Sequence, residues 1–468
     1  MRTLVSPRAV TVTSRLCALG AAALACGTAL FAACNPAAFD ELRDEAGIVV
    51  AEAPDGYARG GYGSVIASFT GVLGGVSVSR LAASAGADSQ TRVYTAWTGS
   101  ALQMDPAAYD LCKDPGDCEA GAGESLSGLT SWRGQALCVA VGGPASDLVL
   151  VRCEDSPSMS IERVMGPSGS RFGASVAGLP SGDLLVGAPM GGTGGAVFRV
   201  SAIGGVTELE LAAARTSGVS RIGARIATSP VIGGGVIAAI TATGGVQRRV
   251  IVAELDAAGT ATLLGCLDDT NTAFGSVVAV GNLIGDDDVP DVVVGDDAAL
   301  PARRESVRIY DGAALRAAGG ACPAAVTPTI VSCVDTRGVA CVGSGFGSSI
   351  AIGDIDGDRD GDLVVGAPEA EFDGVANAGA VWLFPGNATS IESSGADVLT
   401  DSEPETAARL GASVALIGTR ANAPPTGGYA QRSEVAAGAP GSAEVFVFAC
   451  SGLSGDGVTA GPRCIPAM

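Results

Sequence analysis

The sequence predicts an all-β fold, a seven-bladed β-propeller of four-stranded antiparallel blades. Three observations carry that expectation. An apolar residue followed by Gly recurs, and each time a Val-rich strand ending in a Gly-containing turn comes after it. Phe172-Gly173 precedes Val186-Gly187-Ala188-Pro189, and Phe274-Gly275 precedes Val292-Val293-Val294-Gly295-Asp296. Phe346-Gly347 precedes Leu363-Val364-Val365-Gly366-Ala367-Pro368, and Leu410-Gly411 precedes Val435-Ala436-Ala437-Gly438-Ala439-Pro440. A unit returning at roughly 50–70-residue intervals marks a repeat architecture. Composition agrees: 69 glycines, 16% charged and 4% aromatic residues suit many short strands joined by tight turns. Helical periodicity is weak throughout.

The clearest unit begins at Phe346. It reads as a strand Ser348–Ile352, an acidic loop, a strand Leu363–Val365, a turn Gly366–Pro368 and a strand Ala380–Phe384. Val364 and Val365 are β-branched, and Pro368 stops a ladder. Ile222-Gly223-Ala224-Arg225-Ile226 is a weaker start, followed by Val236–Ile240 and Val250–Ala253. Tyr62-Gly63-Ser64-Val65 is another, leading to a strand Arg92–Trp97. Ala140-Val141-Gly142-Gly143-Pro144 stands where the turn of a degenerate second unit belongs, ahead of Leu148–Cys153. These make seven units, which close as a ring of four-stranded sheets. A straight solenoid is the rival, and it normally carries shorter, more regular repeats with atypical caps.

Residues 1–33 read as a lipoprotein-type signal peptide, 34–60 as a flexible tether and 61–468 as the propeller. Arg2, Arg8 and Arg15 precede an apolar run from Leu16 to Ala33. Phe31-Ala32-Ala33-Cys34 is similar to a bacterial lipobox, with Cys34 as the lipidated residue and Phe31 in place of the usual Leu. Ordinary cleavage near Ala33 and an uncleaved anchor are the alternatives. The expected location is therefore the cell envelope or outer membrane, or the exterior by secretion, with membrane attachment only through Cys34.

Formal net charge is −21, and losing the three signal arginines takes it to −24. Such a surface repels nucleic acid and attracts cations. Histidine is absent, which removes Ser-His and Cys-His catalysis and His-ligated zinc. Of 13 cysteines, ten follow the tether's first residue. An even number in an exported chain argues for disulfides. The sequence does not fix the pairing; short-range closure favours Cys112 with Cys118, Cys138 with Cys153, Cys333 with Cys341 and Cys450 with Cys464, leaving Cys266 for Cys322.

The densest chemistry lies in Asp354-Ile355-Asp356-Gly357-Asp358-Arg359-Asp360-Gly361-Asp362. Asp alternating with other residues points several carboxylates at one centre. Ca2+ takes about 6–8 oxygens in irregular geometry, whereas Mg2+ demands a tight octahedron. Without a cation these carboxylates repel one another, so the loop reads as a calcium site rather than a solvated acidic turn. The unit from Phe274 holds a weaker version: Asn282, Asp286, Asp287, Asp288 and Asp291, with Ile284 in place of the second carboxylate. A plain acidic turn is the favoured reading there. The Phe172 unit keeps only Gly178–Asp183.

These units resemble FG-GAP repeats, the blades of the integrin α-subunit propeller and of related bacterial surface proteins. The resemblance spans roughly residues 61–450 and is strongest in the unit from Phe346. It implies a seven-bladed propeller with Ca2+ in the loop between the first two strands of some blades. It implies that Asp354, Asp356 and Asp358 are ligands, that Asp360 offers its backbone carbonyl and that Asp362 closes the site. It also implies a ligand face on the opposite side, built from Met190–Gly194, Asp296–Arg304 and Glu369–Ala378. The expected function is a calcium-stabilised, non-catalytic surface protein that binds a protein or glycan. The alternative is an exported hydrolase or lyase acting on polysaccharide through carboxylates, with Asp183 or Asp291 as candidates.

Overall fold

Each repeat folds into one antiparallel meander. The structure is a computed structural model. It describes residues 48–52, 61–73, 76–84, 91–95, 109–110, 125–153, 161–216, 218–271, 273–285, 287–296, 305–335, 338–355, 360–387, 390–391, 396–417 and 433–448. The signal, Cys34, and the Cys112–Cys118 and Cys450–Cys464 pairings lie outside these residues.

Among the described residues there are seven four-stranded antiparallel sheets and one small hairpin. Numbered along the chain, their first strands are Val65–Leu73, Ser125–Trp132, Ser175–Gly178, Val219–Pro230, Phe274–Gly281, Ser349–Gly353 and Ser413–Ile417. Each first strand packs beside that of the next sheet, and the seventh packs beside the first. The molecule is thus an all-β propeller with its first strands around the axis.

Seven buried apolar clusters hold the ring, one at each boundary between neighbouring sheets. Between sheets five and six, Val293, Val307 and Ile309 meet Phe346, Leu363, Val365 and Trp382. Between seven and one, Ala436, Val445 and Val447 meet Tyr62, Ile66 and Leu81. The core is therefore distributed between sheets, and no sheet buries its faces alone. Trp132 and Trp382 are fully buried in it. Trp132 donates to Glu162 at 2.9 Å, and Trp382 donates to the Val334 carbonyl at 3.1 Å.

The ring closes through chain ends. Ile48–Glu52, placed in the tether by the sequence reading, instead forms the outer strand of the seventh sheet. It pairs antiparallel with Glu444–Phe448, Ile48 opposite Phe448 and Glu52 opposite Glu444. The run Ile48-Val49-Val50 supplies the β-branched residues such a strand favours. A second departure is the helix Gly312–Ala317, capped by the Asp311 side chain accepting from Ala314 N–H at 2.8 Å. Three expected disulfides are present: Cys138–Cys153, Cys266–Cys322 and Cys333–Cys341.

Glycine is needed in the recurring pairs for two separate reasons. Gly347 has φ +97°, a left-handed conformation that strains other residues. Gly366 has no such backbone constraint, but a Cβ there would meet the Gly411 carbonyl of the next sheet. The same carbonyl accepts from the Ser349 hydroxyl at 2.8 Å. This interlock repeats. Ser125 donates to Gly173 O at 2.9 Å, Ser175 to Gly223 O at 3.1 Å and Ser413 to Gly63 O at 2.6 Å. The two halves of the repeat motif are thus a lock between one sheet and the next.

Candidate metal loops and the carboxylates that anchor them

A buried Asp stands at or just before the start of the second strand in three sheets, and in each it holds a backbone N–H at the exit of the third strand. Asp362 is fully buried. One carboxylate oxygen accepts from Ile355 N–H at 2.7 Å, the other from Gly386 N–H at 2.9 Å. Gly386 lies two residues past the third strand, Ala380–Phe384. Asp291 accepts from Leu283 and Ile284 N–H at 2.8 and 2.9 Å, and from Gly312 N–H at 2.9 Å. Gly312 likewise lies two residues past Ser306–Tyr310. Asp183 accepts from Ala202 N–H at 2.8 Å, two residues past Ala196–Val200, and from Arg199 Nε at 2.7 Å. Asp291 and Asp362 tie the first hairpin loop to the exit of the third strand, and Asp183 holds that exit through Ala202 and Arg199.

In the sixth sheet, Asp354 and Asp360 are half-buried at the two ends of the loop, and Asp356 and Asp358 lie outside the described residues. The Asp354 carbonyl accepts from Ser433 N–H at 2.9 Å, which fixes the loop against the seventh sheet. On the other side, Gly361 sits against the Asn282 carbonyl of the fifth-sheet loop, where a Cβ has no room. The two acidic loops therefore abut. The donor set of the sixth loop is entirely hard oxygen. This chemistry fits Ca2+.

The fifth-sheet loop is closed by its own bonds. Asp287 accepts from Val289 N–H at 2.8 Å, and the Asn282 amide donates to the Asp287 carbonyl at 3.4 Å. Asn282 and Asp288 are exposed, Asp291 is buried, and Asp286 lies outside the described residues. Burial pushes the Asp291 carboxyl up to about 6, against the opposing pull of its backbone N–H bonds from Ile284, Gly312 and Leu283. In the third sheet, Arg199 takes the second Asp183 oxygen and also reaches the Ala258 carbonyl of the fourth sheet. A built-in cation thus serves the shortest of these loops.

The central cavity has a volume of about 310 Å3. Its described lining is small, apolar or hydroxylic, and includes Ser127, Gly178, Thr228, Ala279 and Ile350. The hydroxyls are engaged between sheets: Ser127 accepts from Gly178 N–H at 2.9 Å, and Thr228 donates to Gly178 O at 3.1 Å. Asp183 and Asp291, named above as catalytic candidates, are not brought together there. Each is committed to its own loop. Sequence reasoning missed the serine latches and the shared Asp role. The first was visible as Ser at a fixed offset after each Gly, in Ser175, Ser349 and Ser413.

In an antiparallel meander the first and third connections lie at one end of the sheet, the second at the other. The acidic loops are first connections. Met190–Gly194 and Glu369–Ala378 are second connections, so they occupy the opposite face. Residues 297–304 of the third expected ligand-face loop lie outside the described residues.

A profile of the FG-GAP repeat family matches residues 346–384. The matched segment holds the first three strands of the sixth sheet and its acidic loop. No curated protein matches the chain.

Proposed function

Because this chain is an FG-GAP β-propeller protein, we propose that it is a calcium-stabilised, non-catalytic binding or adhesion protein of the cell surface. Its seven sheets are seven blades, and one face of the ring is presented to a protein or glycan. Asp354, Asp356, Asp358, the Asp360 carbonyl and Asp362 would hold Ca2+, which would neutralise a loop whose charges otherwise repel. The ion's role is structural, because the third sheet anchors its loop with Arg199 instead. Three disulfides support folding in an oxidising compartment outside the cytosol.

The observation that carries the non-catalytic reading is the placement of the buried aspartates. Asp183, Asp291 and Asp362 spend their oxygens on backbone N–H groups and an Arg within their own sheets. A pair of carboxylates flanking a sugar requires them to face one site. Recognition instead belongs to the second connections, which vary in length and carry both charge signs.

The test is binding of the purified mature chain to arrayed glycans and surface proteins, with product analysis of any captured polymer. Saturable binding, weakened by Glu371→Ala/Asp373→Ala and without cleavage, is the expected result. Turnover that disappears on Asp183→Asn or Asp291→Asn would overturn the reading.

A further inference from the structure

We infer that the second-connection end of sheet four is a docking patch for an acidic segment of a partner protein, held by Arg221, Arg225 and Arg248. The patch deepens the reading of that face as the binding face and rests on it. Sheet four departs from the repeat at this end. Three residues after the apolar residue of the motif, sheets three, six and seven place Ser175, Ser349 and Ser413, whose hydroxyls lock the next sheet. Val65 and Val277 stand there in sheets one and five, and Arg225 in sheet four. Arg225 is exposed, and its N–H donates to the Thr241 hydroxyl at 3.0 Å. Thr241 in turn stands where the other sheets have Gly187, Gly366 and Gly438. A local rule broken in one repeat marks a functional or strained place.

Charge isolates the same place. The chain carries a formal net charge of −21. Arg221, Arg225 and Arg248 nevertheless have no ion pair among the described residues. The carboxylates close to them in the fold are engaged elsewhere. Asp268 is spent on Arg249 and Glu208 on Arg215, both at 2.6 Å. Asp269, opposite Arg248 in the ladder, accepts from Asn271 N–H at 2.7 Å. Arg221 has φ +58°, a left-handed conformation that is costly outside glycine. A Cβ on Gly244 would meet its Cγ and Cδ, so the Arg221 stem lies along the strand that leads to Arg248. Burial lowers the Arg248 pKa, and the Arg221 charge beside it lowers it further. Two guanidinium groups held together without a counter-ion favour an anion that bridges them. Arg409 holds the place of Arg221 in sheet seven, but there it meets Glu369 at 3.5 Å. On the acidic-loop face Arg133, Arg199 and Arg316 are each spent on a carboxylate. Arginine pairing therefore separates the two faces.

The turn of sheet four adds an apolar contact. Val246, two residues before Arg248, is 86% exposed. Ile222 N–H donates to Gly194 O at 2.9 Å, which sets the second connection of sheet three, with exposed Met190, against this patch. Arginines around an aliphatic tip are the composition of a protein interface. A sugar ring instead stacks on an aromatic plane, and among the described residues every exposed large apolar side chain is aliphatic or Met. One guanidinium gives a carboxylate two parallel hydrogen bonds. The partner segment is therefore one of Asp and Glu that also carries an apolar side chain.

The test is fluorescence anisotropy of the mature chain with a labelled peptide in which glutamates flank a leucine. Saturable binding that weakens as salt rises is the expected result. Arg221→Gln/Arg225→Gln/Arg248→Gln should weaken it about tenfold or more, and the charge-matched Arg133→Gln/Arg163→Gln/Arg316→Gln less than about twofold. Arg225→Ser puts back the residue of sheets three, six and seven, so it should melt with the wild type and still weaken binding about threefold. No binding at low salt, or equal binding by the two triple variants, overturns the patch. Binding of polygalacturonate but not of the peptide, lost in the first triple variant, overturns the protein partner in favour of an acidic glycan. Arrayed ligands held equally well by the first triple variant also overturn the patch and leave the binding function standing. That function fails separately, when no arrayed ligand binds saturably.

Discussion

Replacing Gly366 by Ala tests the lock between sheets with one methyl group. The backbone of Gly366 is not in the left-handed region. Alanine therefore brings no conformational penalty, and the cost isolates close approach. The new Cβ would fall 2.0 Å from Gly411 O and 2.1 Å from Ser349 Oγ. A comfortable C···O separation is about 3.3 Å, so sheets six and seven must part there by about 1 Å. The Ser349–Gly411 hydrogen bond, 2.8 Å in the native arrangement, then stretches beyond useful range. Overpacking of this kind costs about 1–3 kcal/mol, and the lost bond adds about 1 kcal/mol. For a chain of this length that total lowers Tm by about 2–5 °C. Differential scanning calorimetry on Gly366→Ala and Ser349→Ala measures both parts, with the serine variant losing only the smaller. A Gly366→Ala chain that melts with the wild type would show that the carbonyl contact does not hold the blades.

Asp362→Ala strips two buried N–H groups of their acceptor. It should cost about 2–4 kcal/mol in urea unfolding even with chelator present. An unchanged midpoint would remove Asp362 as the anchor of its loop. In chelator, Asp291 adds stability that is fully present below its unfolded value, near 4, and is lost as pH rises through about 6. The wild-type midpoint should therefore fall across that window more steeply than that of Asp291→Asn, by at most about 1.4 kcal/mol per pH unit. Parallel profiles would refute the assignment. Cys266–Cys322 closes a 56-residue separation and Cys333–Cys341 one of 8. Replacing each pair by Ser should cost about 4 and about 2.5 kcal/mol respectively on the chain-entropy account. The reverse order in urea unfolding would contradict it.

The sequence made the repeat legible because its motif is local. Phe346-Gly347 and Gly366-Ala367-Pro368 lie twenty residues apart and carry the lock between sheets in their own chemistry. Sheet six accordingly matches the expected strands to within two residues at each end. The outer strand Ile48–Glu52 was not legible in the same way. Its partner, Glu444–Phe448, lies nearly the whole chain away. A short strand whose ladder is formed only by ring closure carries no local signature. The capped helix was legible in principle, since Asp311 followed by Gly-Ala-Ala-Leu is an N-cap signal. The role of Asp362 divides between the two cases. Its place in an acidic loop marks it as a ligand candidate. Its bond to Gly386 N–H joins residues 24 apart and only appears once the third strand is in place.

Calcium titration of the mature chain tests the central claim most directly, with Tm followed in the wild type and in Asp356→Ala/Asp358→Ala. A cation at about 100 times its Kd adds about 2.7 kcal/mol, or about 3 °C for a chain of this size. The wild type should bind calcium and gain that much, while the double variant gains nothing. A wild-type chain that neither binds calcium nor melts higher in its presence would contradict the account.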